Sequence, residues 1–261
     1  MTKPEKLQQN GLTGSPLEGE VVIDAHMHIG KFYNFLIPRS EESDLIASAG
    51  RIGIQRMYGS STVALRGDAE SGNNDALAFH AKYPDKFFPY VVFKPNYPEE
   101  ADRTIALAET GKIRQFKIHD DGNDLPFDDK RYSPLYEYAN TTGAVILVHT
   151  FGKKQVVPIM KVADEFSRIK ILLGHSGIFE EEVYSEAVRK HDNIWLETCS
   201  SFAWYGLIER LVAMGGAERV LFGTDMPFMS PDQQIGRVLF ARITDEDKRK
   251  VLGLNAQRLF A

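Results

Sequence analysis

The sequence predicts an α/β protein, specifically a (β/α)8 barrel, on three observations. Short apolar, β-branched runs recur at intervals of about 25 to 35 residues, the spacing of strand-plus-helix units. Helical patterns fill the gaps, so the sheet is expected to be parallel and covered on its outer face. The turn after the first run, "DAHMHIG" (24–30), lacks the phosphate-cradling glycines of a doubly wound dinucleotide fold.

The strands are expected in "EVVIDAHMH" (20–28), "IGIQRMYG" (52–59), "FFPYVVF" (87–93) and "IRQFKIH" (113–119). The series continues with "AVILVHT" (144–150), "IKILLGH" (169–175), "NIWLETC" (193–199) and "RVLFGTD" (219–225). Between them, "SEESDLIASAG" (40–50) opens with a capping residue and an acidic first turn and ends at glycine. "NNDALAFHAKYPDK" (73–86) is stopped near Pro84. "PEEADRTIALAETG" (98–111) and "SPLYEYANTTG" (133–143) place proline at the start and glycine at the end. Further helices are expected around 155–167, 180–191, 205–214, 232–241 and 244–252.

A chain of 261 residues suits one barrel domain, assigned to 19–261. Residues 1–18 are polar and broken by Gly and Pro, which predicts a flexible or loosely packed arm without the apolar core of a signal peptide. No run approaches the roughly 18 apolar residues of a membrane span. The formal net charge of −5 gives no electrostatic reason to expect nucleic acid or an anionic membrane as partner. Cys199 is the single cysteine, so no internal disulfide forms and a reducing, cytoplasmic location is expected.

Active residues of a barrel sit at the C-terminal ends of its strands. Polar residues collect there: His26 and His28 on the first strand, Lys117 and His119 on the fourth, His149 on the fifth, His175 on the sixth and Asp225 on the eighth. In "RQFKIH", Gln115, Lys117 and His119 share a face opposite Phe116 and Ile118, so the polar set is expected inside. His26 and His28 leave one face together and can reach one ion. Imidazoles with a carboxylate form a catalytic zinc-type site that related divalent ions also accept.

These motifs resemble the amidohydrolase superfamily, in the branch that includes decarboxylases of unsaturated and aromatic acids. The resemblance is carried by "DAHMHIG", "FKIHD" (116–120), "VHT" (148–150), "GHSG" (174–177), "GTDMP" (223–227) and "NAQRLF" (255–260). It implies a metallo-dependent barrel with one divalent metal ion, zinc first, with manganese or another ion as the alternative. His26, His28, Asp225 and His149 would be ligands. His175 and Asp225 would be catalytic, the histidine polarising substrate or water and the carboxylate taking a proton from the metal's water. A homodimer is the family-level expectation.

In some superfamily members a carboxylated lysine at the fourth strand, where Lys117 stands, bridges two metals; here a role toward substrate or behind the metal ligands is favoured over bridging. The other substrate-binding candidates are His119, level with a strand-capping role, and Trp204 in the loop "SSFAWYG" (200–206). "MPFMS" (226–230) is a second candidate wall, and Arg66, Lys153 and Lys154 are weaker candidates for binding a substrate carboxylate. Glu197 and Cys199 share a face of the seventh strand, with packing favoured for the thiol. His80 and His191 fall in helical patterns away from strand ends, and "DDGND" (120–124) reads as a turn rather than a calcium loop.

The function these features favour is hydrolysis of a small-molecule ester, lactone or amide by metal-activated water. The alternative is non-oxidative decarboxylation of an unsaturated or aromatic carboxylic acid at the same site. Hydrolysis is preferred because the chain is short beside the branch's decarboxylases. A non-catalytic binding barrel would predict a missing member among His26, His28, His149, His175 and Asp225, and none is missing.

Overall fold

The computed structural model describes residues 6–120, 123–202 and 204–261. Its strands are β1 (Ile23–Ile29), β2 (Arg56–Ser61), β3 (Phe87–Pro89), β4 (Val91–Val92) and β5 (Gln115–Ile118), then β6 (Val145–Val148), β7 (Lys170–Leu173), β8 (Ile194–Glu197) and β9 (Val220–Leu221). β3 and β4 are halves of the expected third strand, divided at Tyr90. Every pairing is parallel, in the orders β1-β2-β3 and β4-β5-β6-β7-β8-β9.

Backbone hydrogen bonds close these segments into one barrel. Tyr90 N–H donates to Gly59 O at 2.7 Å, and the Asn73 side chain both donates to and accepts from the Val92 backbone. At the other seam Ala25 N–H donates to Phe222 O at 2.9 Å, and Asp225 N–H to His26 O at 2.8 Å. The result is the expected eight-stranded (β/α)8 barrel.

Two buried apolar clusters report the period-2 alternation directly. Ile23, Tyr58, Val145, Leu147, Leu172 and Leu221 belong to the cluster that fills the barrel interior. Their strand neighbours Met57, Ile146, Ile171, Leu173 and Phe222 join the larger cluster beneath the helices. On β1 the phase changes. Asp24 pairs with Met57 and Met27 with Gly59, so three steps on β1 face two on β2. This bulge leaves Ile23 and Ala25 in the inner cluster, yet sends Met27 and Ile29 outward. His26 and His28 therefore turn into the barrel. The Tyr90 hydroxyl donates to the Ala25 carbonyl at 2.9 Å, satisfying a group at the bulge.

Residues 6–18 are more ordered than the loose arm expected there. Lys6–Thr13 is a helix with Leu7 fully buried, and Leu17 is buried with its N–H donating to Ile52 O at 3.3 Å. Two well-spaced leucines give this polar segment enough apolar surface to dock. Among the described residues no helix is long and apolar enough to cross a membrane.

Candidate active site

His26, His28 and Asp225 converge at the C-terminal end of the barrel. The Asp225 carboxylate Oδ1 lies 3.2 Å from His28 Nε2 and 3.8 Å from His26 Nε2. The outer nitrogen of each ring is already engaged. His26 Nδ1 meets Glu197 Oε2 at 2.9 Å, and His28 Nδ1 meets Ser60 Oγ at 3.1 Å. With His26 donating to Glu197, its Nε2 presents a lone pair toward the centre. Asp225 Oδ1 is buried and has no hydrogen-bond partner. An orphaned carboxylate oxygen beside two imidazole nitrogens, all oriented from behind, is a donor set that fits a divalent cation.

The electrostatics agree with that fit. Burial, reinforced by the nearby Lys117 cation, holds the His26 imidazole well below its ordinary range, and burial lowers His28. Neutral rings are the ligating form. Burial alone would raise the Asp225 carboxyl, but the His28 contact and the neighbouring imidazoles pull it below the usual carboxylate range. His175 and Asp225 both have φ of 57°. Left-handed backbone at two non-glycine strand ends costs about 1–3 kcal/mol each, a strain typical of functional sites.

Lys117 is fully buried and places Nζ 3.0 Å from His26 Nε2. Burial pushes its ammonium down to about 8. It does not line the pocket and instead meets the nitrogen that His26 turns toward the triad, in keeping with the expected role behind the metal ligands rather than toward substrate. Two residues further along the same face, His119 does reach the pocket. Its ring stacks on His149 at 3.9 Å between centroids, and His149 in turn sits 4.9 Å from the His175 ring. His149 groups with His119 and Asp120 rather than with the His26–His28–Asp225 set.

Above the triad is a cavity of about 280 Å³. Its floor carries His28, His119, His149, His175 and Asp225, and its walls are Phe32, Phe35, Leu65, Phe151 and Phe228. Phe228 stacks on His28 at 4.7 Å and on Phe35 at 4.7 Å, while Phe151 stacks on His175 at 5.2 Å. Phe228 meets the expectation for the "MPFMS" loop.

Trp204 does not line this cavity. It is 48% exposed, stacks on Phe202 and donates its indole N–H to Ile178 O at 3.1 Å. That hydrogen bond turns the ring along the rim instead of inward. Lys153 and Lys154 are exposed, with Lys153 Nζ 3.8 Å from Glu180, and the Arg66 guanidinium lies over the Tyr33 ring at 4.1 Å. His80 and His191 bond to Phe87 O and Ala187 O, away from the cavity. Asp121 and Gly122 of the acidic loop lie outside the described residues.

Glu197 is the residue whose importance the sequence left open. Its Oε2 meets His26 Nδ1 and accepts from the His175 N–H at 3.2 Å, so one carboxylate positions two site histidines. Its inward phase on the seventh strand was the available signal. A side chain at Gly223 would collide with Glu197 Oε1 and lie 2.9 Å from His26 Cβ, so only glycine fits there. Asp24 was also unassigned. It is fully buried and accepts from the N–H groups of His26 and Thr224, both at 3.0 Å, tying β1 to the strand that delivers Asp225.

Comparison with known proteins follows this geometry. Gamma-resorcylate decarboxylase of a Polaromonas species is 24% identical, covering 72% of this chain and 74% of that protein. The structure of dihydroxybenzoic acid decarboxylase from Polaromonas, with bound manganese and the inhibitor 2-nitroresorcinol, superposes with a TM-score of 0.72 at 18% identity. It covers 92% of this chain and 97% of that one. A manganese complex of 5-carboxyvanillate decarboxylase from Novosphingobium aromaticivorans gives 0.72 at 15% identity, covering 94% and 97%. The family profile described as amidohydrolase matches residues 23–261, the whole barrel with its motif-bearing strand ends, and the chain belongs to the amidohydrolase family.

Proposed function

We propose that this protein is a metal-dependent, non-oxidative decarboxylase of a small aromatic carboxylic acid. The observation that carries this reading is the shape and lining of the cavity over the triad. About 280 Å³ between stacked phenylalanines suits one flat ring, and with a cation on the triad its floor would suit an anionic group. The relatives described above, all decarboxylases, support the same choice over hydrolysis.

His26, His28 and Asp225 would hold the cation, with manganese the first to test because both of those decarboxylase structures contain it. When bound, a divalent ion supplies positive charge that fixes the substrate's oxygens and offsets charge developing on them. The protein's own groups do the rest. Phe228, Phe35 and Phe32 hold the ring and exclude water from one face. Asp225, a carboxylate in the resting site, would take up one proton from solvent and pass it to the ring carbon that bears the carboxylate. The bond from that carbon to the carboxylate then breaks, its electron pair restores the aromatic ring, and carbon dioxide leaves. One proton is consumed per turnover. His175, with Nδ1 3.2 Å from Cys199 O, aims its other nitrogen toward the reacting carboxylate.

The test is incubation of the manganese-loaded protein with 2,6-dihydroxybenzoate, other hydroxybenzoates and 5-carboxyvanillate in deuterated buffer. Carbon dioxide release with deuterium on the former carboxyl-bearing carbon is the expected result. Turnover of esters or lactones with no carbon dioxide from any aromatic acid would return the assignment to hydrolysis.

A further inference from the structure

On the far side of His26 from Asp225 a second set of donor atoms converges. Cys199 Sγ lies 3.2 Å from His26 Nδ1, 3.3 Å from His175 Nδ1 and 3.0 Å from Glu197 Oε2. Glu197 Oε2 lies 2.9 Å from His26 Nδ1. All four residues are buried, and they come from β1 and from the ends of β7 and β8. These are four of the six edges of a donor tetrahedron whose remaining two are within 4.8 Å, and edges near 3.1 Å place the centre about 1.9 Å from each corner. That is within about 0.2 Å of a zinc–nitrogen or zinc–oxygen bond and about 0.4 Å short of a zinc–sulfur bond, so a small outward shift of the donors accommodates the ion.

We propose that His26, His175, Glu197 and Cys199 form a second, thiolate-bearing cation site for a soft divalent ion such as zinc or cadmium. The reasoning is one of softness as well as distance. The His26–His28–Asp225 set contains no sulfur and accepts harder ions, whereas thiolate with imidazole selects softer ones. Without an ion the four atoms are joined by hydrogen bonds. On binding, Cys199 loses its thiol proton to solvent and its sulfur bonds the ion. The Glu197 carboxylate exchanges its hydrogen bonds for a bond to the ion.

His26 couples the two sites. A neutral imidazole has one lone pair, so when the soft ion binds Nδ1 of His26 the ring proton passes to Nε2, and the proton that His175 Nδ1 gives to Cys199 O passes to Nε2 of that ring. Nε2 of His26 then ceases to be a ligand of the first site. Filling the second site therefore weakens the first, and a soft metal becomes an antagonist of the harder one. This holds whatever reaction the first site performs.

The chain's single cysteine makes the test selective, because any sulfur-to-metal charge-transfer band reports Cys199 alone. The manganese-loaded protein is titrated with cadmium while near-ultraviolet absorption, free manganese and far-ultraviolet dichroism are followed. A band that saturates at about one equivalent, with manganese released in step and dichroism unchanged, is the expected outcome. The band should vanish in Cys199→Ala and persist in His28→Ala, since His28 belongs only to the first site. No band in the wild-type protein overturns the proposal, and that result needs no variant to fold. A band that appears only as dichroism is lost, or that His28→Ala abolishes, overturns it as well.

Discussion

The two ends of the barrel interior are built on the same strands and obey opposite rules. Near the N-terminal end, Ile23, Val145, Leu147, Leu172 and Leu221 fill the inside with aliphatic side chains. One or two inward positions later β1, β6 and β9 lead on to His26, His149 and Asp225, and β5 and β8 add Lys117 and Glu197. The aliphatic layer gains from leaving water. The polar layer loses by it and is held by paired contacts such as Glu197 with His26 and Asp24 with Thr224. The difference teaches that stability and chemistry are separated by only a few ångströms of strand, so substitutions at the two ends should fail in different ways.

The largest effect should come from the polar end. Asp225→Asn removes both a ligand charge and the proton carrier, and kcat/KM for the best aromatic acid should fall by about 10³-fold or more, with thermal unfolding little changed. Retention of full turnover and metal content would remove Asp225 from its role. At the aliphatic end, Leu147→Ala should do the reverse. It should cost about 2–5 kcal/mol in denaturant unfolding, while metal per folded chain stays constant. Glu197→Gln tests the seam between the layers. It should weaken manganese binding by about 10- to 100-fold in a chelator competition, because His26 loses a charged partner for Nδ1. Phe228→Ala should raise KM about tenfold with little change in kcat, reflecting lost stacking on the substrate ring. Smallest of all, Trp204→Ala should leave KM unchanged, as the indole lies along the rim.

Much of this division was legible in the sequence. The recurrence of β-branched runs located every barrel strand, and the alternation in "RQFKIH" correctly placed Phe116 and Ile118 outside and Lys117 inside. What alternation lacks is depth. It gave Lys117 and His119 the same face but not the step by which one ends against His26 Nε2 and the other reaches the cavity. It also could not reveal the β1 bulge, which depends on pairing with β2 rather than on any local residue preference. The left-handed turns at His175 and Asp225 carry no glycine signal, since these positions hold a strained backbone that only tertiary contacts maintain. Trp204 was placed in the right loop, but its orientation is decided by a hydrogen bond to Ile178, far away in sequence.

The bulge in β1 and the break in the third strand are one joint seen from two sides. Tyr90 interrupts its own strand, and its hydroxyl is spent on the Ala25 carbonyl. The break in one strand is thereby bonded to the bulge in the other. The tyrosine supports the segment from which both imidazoles project, although it is not one of the candidate metal-binding side chains. A lineage of such barrels could change its ligands freely and would still have to inherit this joint intact, because a hydroxyl lost at Tyr90 leaves a dry carbonyl unpaired at a cost of about 1–3 kcal/mol.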